Sequence, residues 1–379
     1  MAAVFAWLRS TPLRHGRYGT SDAKSRTQPS SDFVGLRRTS HSIGFTMRAI
    51  HRAENAPRGH VLVTGAGTGI GRACTLRLAR RGFVVWAGIR TAAEAAALIT
   101  ASGDASSAIR PINLDITDAS QIHAAAVHIR SGTARDGLCG IVNNAGICVV
   151  GPVESVALAD WRHQFDVNLF GAIAVTNAML PLLREYAARN AWHGSRIVNI
   201  GSITGEIATP VFGAYSASKF ALRAMTDALR LELRAEGIRV SLIVPGMIQS
   251  EIWRKEQEGV DALARNAAAR QTYGALIDNV ARSVFQRARQ ALPADRVARV
   301  VQRCFTDRTP RMRYRVGWEA DIGSFAKALM PDRLFELLLG RSLGVPSRTH
   351  PVSQHPRRSA PSRWPTSPNN QLRDKDLQR

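Results

Sequence analysis

The stretch Thr64-Gly65-Ala66-Gly67-Thr68-Gly69-Ile70-Gly71 lies between an apolar run, His60 to Thr64, and a segment with helical periodicity, Arg72 to Arg81. A strand that enters a helix through a glycine-rich turn lets the backbone approach a pyrophosphate closely. It also aims unpaired N–H groups of the helix start at that anion. Glycine clusters serve many tight turns, so the placement after the first strand and before a helix is what points to a dinucleotide. Outward from this turn, short β-branched runs alternate with longer helical stretches. The predicted strands are His60 to Thr64, Val84 to Gly88, Arg110 to Leu114, Gly140 to Asn143, Arg196 to Ile200, Arg239 to Val244 and Met312 to Val316. Most are nearly continuous apolar runs, as required when helices cover both faces of a parallel sheet. Between them fall predicted helices such as Arg72 to Arg81, Ser120 to Arg130, Leu158 to Tyr186 and Tyr215 to Glu236. Repeated βα order implies an α/β fold: one doubly wound domain on a mostly parallel, seven-stranded sheet with right-handed crossovers.

The chain of 379 residues is 45% hydrophobic and 21% charged, enough apolar mass for a core, and this excludes disorder of the whole. Its net charge of +22 is concentrated at the ends. Ten Lys/Arg face three acids before Gly59, and eight face two from Arg341 onward. Only five of the 51 basic residues are Lys, and no nucleic-acid recognition motif accompanies them. The Arg and Ala bias resembles that of a GC-rich coding sequence, so no nucleic-acid partner is expected. Apolar runs fall short of the ~18 residues of a spanning helix, and no transmembrane segment is expected. Cys74, Cys139, Cys148 and Cys304 show neither CxxC pairing nor histidines at ligand spacing, which predicts buried reduced thiols and no metal.

Residues 1–57, rich in Ser, Thr and Arg, read as a disordered leader, the domain as 58–343, and the Pro- and Arg-rich residues 344–379 as a disordered tail. The leader has two readings: an over-extended start with Met47 as the true beginning, which implies a cytoplasmic protein, or an organellar transit peptide over residues 1–46.

The spacing TGxxxGxG resembles the classical short-chain dehydrogenase/reductase family, and further motifs carry the resemblance. Asn143-Asn144-Ala145-Gly146 follows the fourth predicted strand, and Asn168 stands in Val167-Asn168-Leu169. Ser202 follows the fifth strand, Tyr215-Ser216-Ala217-Ser218-Lys219 completes Ser-x12-Tyr-x3-Lys, and Pro245-Gly246 follows the sixth strand. The resemblance implies a Rossmann domain with Asn168, Ser202, Tyr215 and Lys219 as catalytic residues. It also implies cofactor contacts at Gly65, Thr68, Gly69, Ile70, Gly71, Arg90, Asp115, Ile116, Asn143, Ala145, Gly146, Tyr215, Lys219, Pro245, Gly246 and Ile248. Asp115 with Ile116 matches the family's adenine-contacting pair, although a carboxylate at a strand end equally serves a turn.

Reduction of a ketone needs a hydride at carbon and a proton at oxygen; the nicotinamide supplies the first and the protein the second. Tyr215 and Lys219 are one turn apart on one predicted helix, so their side chains share a face. An ammonium beside a phenol favours the tyrosinate and moves a pKa that starts near 10 toward working pH. Tyr215 then becomes a usable general acid or base. By resemblance, Ser202 donates a hydrogen bond to the substrate oxygen, Lys219 holds the nicotinamide ribose, and Asn168 positions a water on a proton path from Lys219.

NAD-selective members place an acid at the end of the second strand, about 20 residues past the glycine turn. Here that position is Ile89, followed by Arg90, which can pair with a 2′-phosphate. NADP(H) is therefore favoured, with NAD(H) possible. Substrate specificity is expected after Pro245-Gly246, through Ile248, Ser250, Ile252 and Trp253 into a helical lid over about 251–306. The C-terminal part resembles the retinol and hydroxysteroid dehydrogenase branch, which implies a small carbonyl or alcohol substrate of lipid, steroid or retinoid type. A 3-oxoacyl-type reductase of the same fold, or a non-catalytic dinucleotide-binding protein, is the alternative. The Tyr215 helix is apolar on more than one face, and family members pair this helix across a two-fold axis, so a homodimer or homotetramer is expected.

Overall fold

In a computed structural model the described residues are 58–134, 136–249, 263 and 266–345. Seven strands form one sheet: β1 (His60–Thr64), β2 (Val84–Ile89), β3 (Ile109–Asn113), β4 (Gly140–Asn143), β5 (Ser195–Ile200), β6 (Ile238–Pro245) and β7 (Arg313–Val316). Their spatial order is β3-β2-β1-β4-β5-β6-β7, and every adjacent pair is parallel. The chain leaves β1 toward one edge, returns, and continues from β4 toward the other. This is the doubly wound Rossmann arrangement, with its reversal of strand order between β1 and β4.

The continuous apolar runs resolve into two alternating sets. Val61, Val63, Val85, Ala87, Val142, Val198 and Ile243 point into one core, and Leu62, Trp86, Ile141, Ile197 and Val240 into the other. Helices α1 (Gly69–Ala79) and α2 (Ala92–Ser102) cover the first face. The second is covered by α3 (Ala119–Gly132), by the long segment after β4, and by the end of α6 (Gly213–Glu232). That long segment differs from the uninterrupted helix expected over Leu158 to Tyr186. It is α4 (Leu158–Phe165), a π-helical turn (Asp166–Gly171) and α5 (Ala172–Arg189). A Cβ on Gly171 would stand 2.8 Å from Ile116, so the widened turn packs directly on the loop after β3. Leu158–Arg189 is also long and apolar enough to cross a membrane by length and composition, but half of its most apolar 18-residue window is buried inside the protein. Val175, Met179, Leu182 and Leu183 of α5 belong to the second core.

Beyond β6, α7 (Ala267–Ala288), α8 (Ala294–Thr306), α9 (Trp318–Leu329) and α10 (Asp332–Ser342) complete the described chain. The lid expected over 251–306 is corrected in its second half. In α8, Val297, Ala298, Val301 and Cys304 are fully buried in the first core with α1, so this helix is sheet cover rather than a lid. Its apolar residues recur at helical spacing on one face, and that stripe found the sheet. Ser250, Ile252 and Trp253, the leader 1–57 and the tail from residue 346 lie outside the described residues.

Candidate active site

The residues singled out from sequence converge on the carboxyl ends of the strands, around the reversal between β1 and β4. The glycine turn is built first. Gly65 and Gly69 take φ of 61° and 51°, a left-handed backbone that residues with a Cβ rarely adopt. A Cβ on Gly71 would lie 2.1 Å from the Gly65 carbonyl oxygen, so the turn closes on itself only as glycine. Asn144 then fastens it to the β4 end: its Nδ2 donates to the carbonyls of Thr64 (3.0 Å) and Gly65 (3.1 Å). In return Thr64 Oγ1 accepts from the N–H groups of Asn144 (3.0 Å) and Ala145 (3.1 Å). Thr68 is the N-cap of α1, but its side chain caps nothing and the first turn of the helix carries no acid. That donor set fits a pyrophosphate, which would meet the N–H groups of Gly69, Ile70 and Gly71.

Asn143 corrects its assignment. Its side chain turns into the sheet layer, donating to Thr176 Oγ1 and Asn199 Oδ1, each at 2.9 Å, and Asn199 Nδ2 donates to Thr226 Oγ1 at 2.9 Å. This buried brace ties α5, β4, β5 and α6 together, so Asn143 serves the frame and Asn144, which the sequence reading left out, serves the turn. Ile116 is buried against Gly171 and can meet a nucleotide only through its backbone. Ile248 is likewise in the core, beside an isolated backbone bridge to Leu292. Gly246 N–H donates to the Val316 carbonyl at 2.8 Å, which pins the turn after β6 to β7. Asp115 accepts from the N–H (2.9 Å) and hydroxyl (2.7 Å) of Thr117, and these bonds, with a contribution from nearby Arg90, hold its carboxyl below the usual range. Arg90 is exposed at the end of β2.

The Tyr215 and Lys219 side chains share one face of α6, with Lys219 Nζ 5.7 Å from the centre of the Tyr215 ring. Lys219 is buried; its Nζ donates to the Ile200 carbonyl at the end of β5 at 3.0 Å. Burial lowers its pKa to about 8, which still leaves it mostly an ammonium at neutral pH. Ser202 caps a short turn, Ile203–Gly205, and its Oγ accepts from the N–H (3.2 Å) and hydroxyl (2.9 Å) of Thr204. With its acceptor side engaged, the hydroxyl hydrogen is left to donate. Gly205 lets this turn lie against α6, because a Cβ there would stand 2.8 Å from the Lys219 carbonyl oxygen. Thr204 and Gly205 carry no signal of their own in the sequence.

Asn168 sits in the π-helical turn, and its side chain is tied to the loop after β4 and to α6. Oδ1 accepts from Ile147 N–H at 2.9 Å, while Nδ2 donates to the Ile147 carbonyl at 3.0 Å and to Ser218 Oγ at 3.1 Å. Ser218 Oγ in turn donates to the Tyr215 carbonyl at 2.7 Å. Gln164, fully buried one helical turn before Asn168, repeats the clamp by accepting from Val149 N–H at 2.7 Å and donating to the Ile147 carbonyl at 2.9 Å. Nothing in the sequence pattern marks Gln164 as a site residue.

An apolar cluster lies next to the start of α6. Val211 and Phe212, just before α6, pack with Leu263, Ala269, Ile277, Val280 and Leu343, and Cys148 and Val150 of the loop after β4 join them. Val211 has φ of 70°, a costly conformation for a β-branched residue, and its carbonyl accepts from Gly151 N–H at 2.7 Å. Tyr273 of α7 donates to Glu154 Oε2 at 2.6 Å, fastening α7 to the loop after β4.

The chain is similar to several known proteins. The family described as short chain dehydrogenase matches residues 59–291. An NADPH-dependent 3-dehydrocapnine reductase from Ornithobacterium rhinotracheale is 30% identical over 75% of this chain and 97% of its own. Human retinol dehydrogenase 5 is 33% identical over 77% of this chain and 91% of its own. The bovine 17-beta-hydroxysteroid dehydrogenase type 6 is 32% identical over 76% and 90%. Among solved structures, a short-chain dehydrogenase from Streptomyces avermitilis superposes with a TM-score of 0.58 at 24% identity, covering 76% of this chain and 97% of that one. One from Burkholderia cenocepacia in complex with NADP gives 0.55 at 24% identity, over 77% and 99%. These two likenesses establish a shared fold.

The buried ammonium makes a checkable statement about stability. Lys219 binds its proton less tightly folded, at about 8, than unfolded, near 10.5, so the unfolded chain holds more protons between those values. Stability contributed by this group therefore rises with pH across that window and is absent below it. Urea unfolding of the native chain and Lys219→Met should show the native chain gaining up to about 3 kcal/mol relative to the variant from pH 8 to 10.5. A difference that stays constant across this range would mean that the ammonium is not desolvated.

Proposed function

The chain belongs to the short-chain dehydrogenase family, and on that premise we propose that Tyr215 is the proton donor in an NADP(H)-dependent interconversion of an apolar ketone or aldehyde with its alcohol. The observation that carries this reading is the pairing of Tyr215 with buried Lys219 on one face of α6, beside the turn that holds Ser202. When bound, the dinucleotide supplies or accepts the hydride. In the reducing direction the Tyr215 phenol gives its proton to the substrate oxygen, and the Ser202 hydroxyl donates a hydrogen bond to the same oxygen as its charge grows. Lys219 holds positive charge beneath the phenol and favours the tyrosinate left behind. Asn168 and Gln164 keep the loop Ile147–Val149 in place beside the helix that carries both catalytic groups.

NADP(H) is supported by Arg90 at the end of β2, where an acid would select NAD, and by the NADPH dependence named for the Ornithobacterium relative. The preference for an apolar substrate is supported by the cluster of Val211, Phe212, Ile277 and Val280 next to the start of α6, and by relatives named for retinol and hydroxysteroids. We further propose a homodimer or homotetramer. Phe170 at the π-helical turn and Phe220 on the Tyr215 helix are exposed aromatic residues whose burial would favour pairing of copies.

Four outcomes are expected. In a screen of ketones and aldehydes that follows NADPH absorbance, apolar carbonyls should turn over fastest. Tyr215→Phe should lower kcat on the best of them by roughly a thousandfold while NADPH still binds; an unchanged kcat overturns the mechanism. Arg90→Ala should weaken NADPH by about tenfold and NADH by less than about twofold, and equal losses would remove Arg90 from cofactor choice. Light scattering should return a mass of two or four chains; a monomeric mass contradicts the assembly.

A further inference from the structure

Glu94 has no role in the chemistry above, yet it lies on the glycine turn. It is the third residue of α2, and its N–H donates to Thr91 Oγ1 at 3.2 Å, as in an ordinary helix cap. Its carboxylate does something else: Oε2 accepts from the N–H of Arg90 at 3.2 Å. Its stem crosses the turn so closely that a Cβ on Gly67 would meet Glu94 Cβ and Cγ at 3.0 Å and Cδ at 2.8 Å. An anion therefore already stands beside Arg90, in the space bounded by Gly67 and the end of β2.

We infer that Glu94 is a specificity-determining residue whose carboxylate competes with the 2′-phosphate of NADP(H) for the anion position beside Arg90, and so holds the preference for NADPH over NADH below what Arg90 alone would set. This rests on the proposed binding of a nicotinamide dinucleotide at the glycine turn. The end of β2 is where the adenosine ribose is read in this fold. A 2′-phosphate brings close to two negative charges at neutral pH and needs donors, and the Arg90 N–H is one of them. Glu94 holds that donor and adds a like charge next to it. A ribose bearing only hydroxyls feels no such repulsion, so removal of the carboxylate selects between the two cofactors. Among the described residues Asp115 is a second acid near Arg90, close enough for its carboxyl to feel the guanidinium. It is held in its own turn by Thr117.

The test uses the full chain and reads binding rather than turnover. Dissociation constants for NADPH, NADH, 2′,5′-ADP and 5′-AMP are measured by calorimetry at one fixed ionic strength for the native chain, Glu94→Gln and Glu94→Ala. Glutamine retains the capping pattern at the helix start, so Glu94→Gln isolates the charge, and matching melting temperatures check that α2 is intact. Both variants should tighten NADPH and 2′,5′-ADP by roughly fivefold to tenfold, the scale of one like-charge contact in partly solvated surroundings. NADH and 5′-AMP should change by less than about twofold. Equal shifts for all four probes, a weaker NADPH, or a selective loss of NADH would each overturn the inference; the last would make Glu94 a partner of the ribose hydroxyls. A native chain that binds none of the four would instead fail the dinucleotide reading itself, and this inference with it.

Discussion

A single buried ammonium organises the reactive end of this molecule. Lys219 is withdrawn from water, held by one carbonyl at the end of β5, and placed under the ring of Tyr215. Burying a charge is costly, and here the cost shows as a pKa lowered to about 8. The outcome is a fixed positive charge beside a phenol, in a place where mobile water would otherwise dilute its effect. Close approach of three backbone segments makes the burial possible. The turn at Gly205 rests on the Lys219 backbone, the loop at Gly146 leaves so little room that an added Cβ would stand 3.7 Å from Nζ, and β5 ends at its hydrogen-bond acceptor.

Holding those segments is the task of the buried polar brace through Thr176, Asn143, Asn199 and Thr226. Each threonine also donates back to its own helix, Thr176 to Ala172 and Thr226 to Leu222. The brace therefore fixes the depth of α5 and α6 relative to β4 and β5, and α6 carries Tyr215 and Lys219. A second ionic tie reaches the Ser202 turn from the sheet edge. Glu206, buried just after that turn, meets Arg315 at 3.2 Å and Arg313 at 3.4 Å on β7, and Ser324 of α9 donates to it. Desolvation opposes its charge, but the hydrogen bonds and the arginines prevail and hold its carboxyl below the usual range. Such a pair is weak support for stability in itself, while loss of one partner would strand a buried charge.

Several residues were legible because their signal is local. Most of the seven strands stand out as apolar runs, the glycine turn as a strand-to-helix junction, and Tyr215 with Lys219 as a one-turn spacing on a helix. The π-helical turn was not legible: Asp166–Gly171 keeps the composition of a helix, and only packing against the loop after β3 widens it. Asn143 and Asn144 illustrate the same limit within one motif. Adjacent in sequence, they point opposite ways from the end of a strand, and the pleat decides which enters the sheet and which reaches the turn.

The architecture, the strand boundaries and the pairing of Tyr215 with Lys219 could be read from the chain alone, because periodicity and residue chemistry within a few positions suffice for those. Which partners complete them depends on how the folded elements meet. The Thr204 bonds to Ser202, the Gln164 clamp on Ile147 and Val149, the place of α8 on the sheet, and the Glu94 carboxylate over Gly67 all depend on where the folded backbone brings side chains. No local pattern encodes such meetings, since a polar side chain on a helix or turn has the same propensity whether it ends in solvent or against a distant loop.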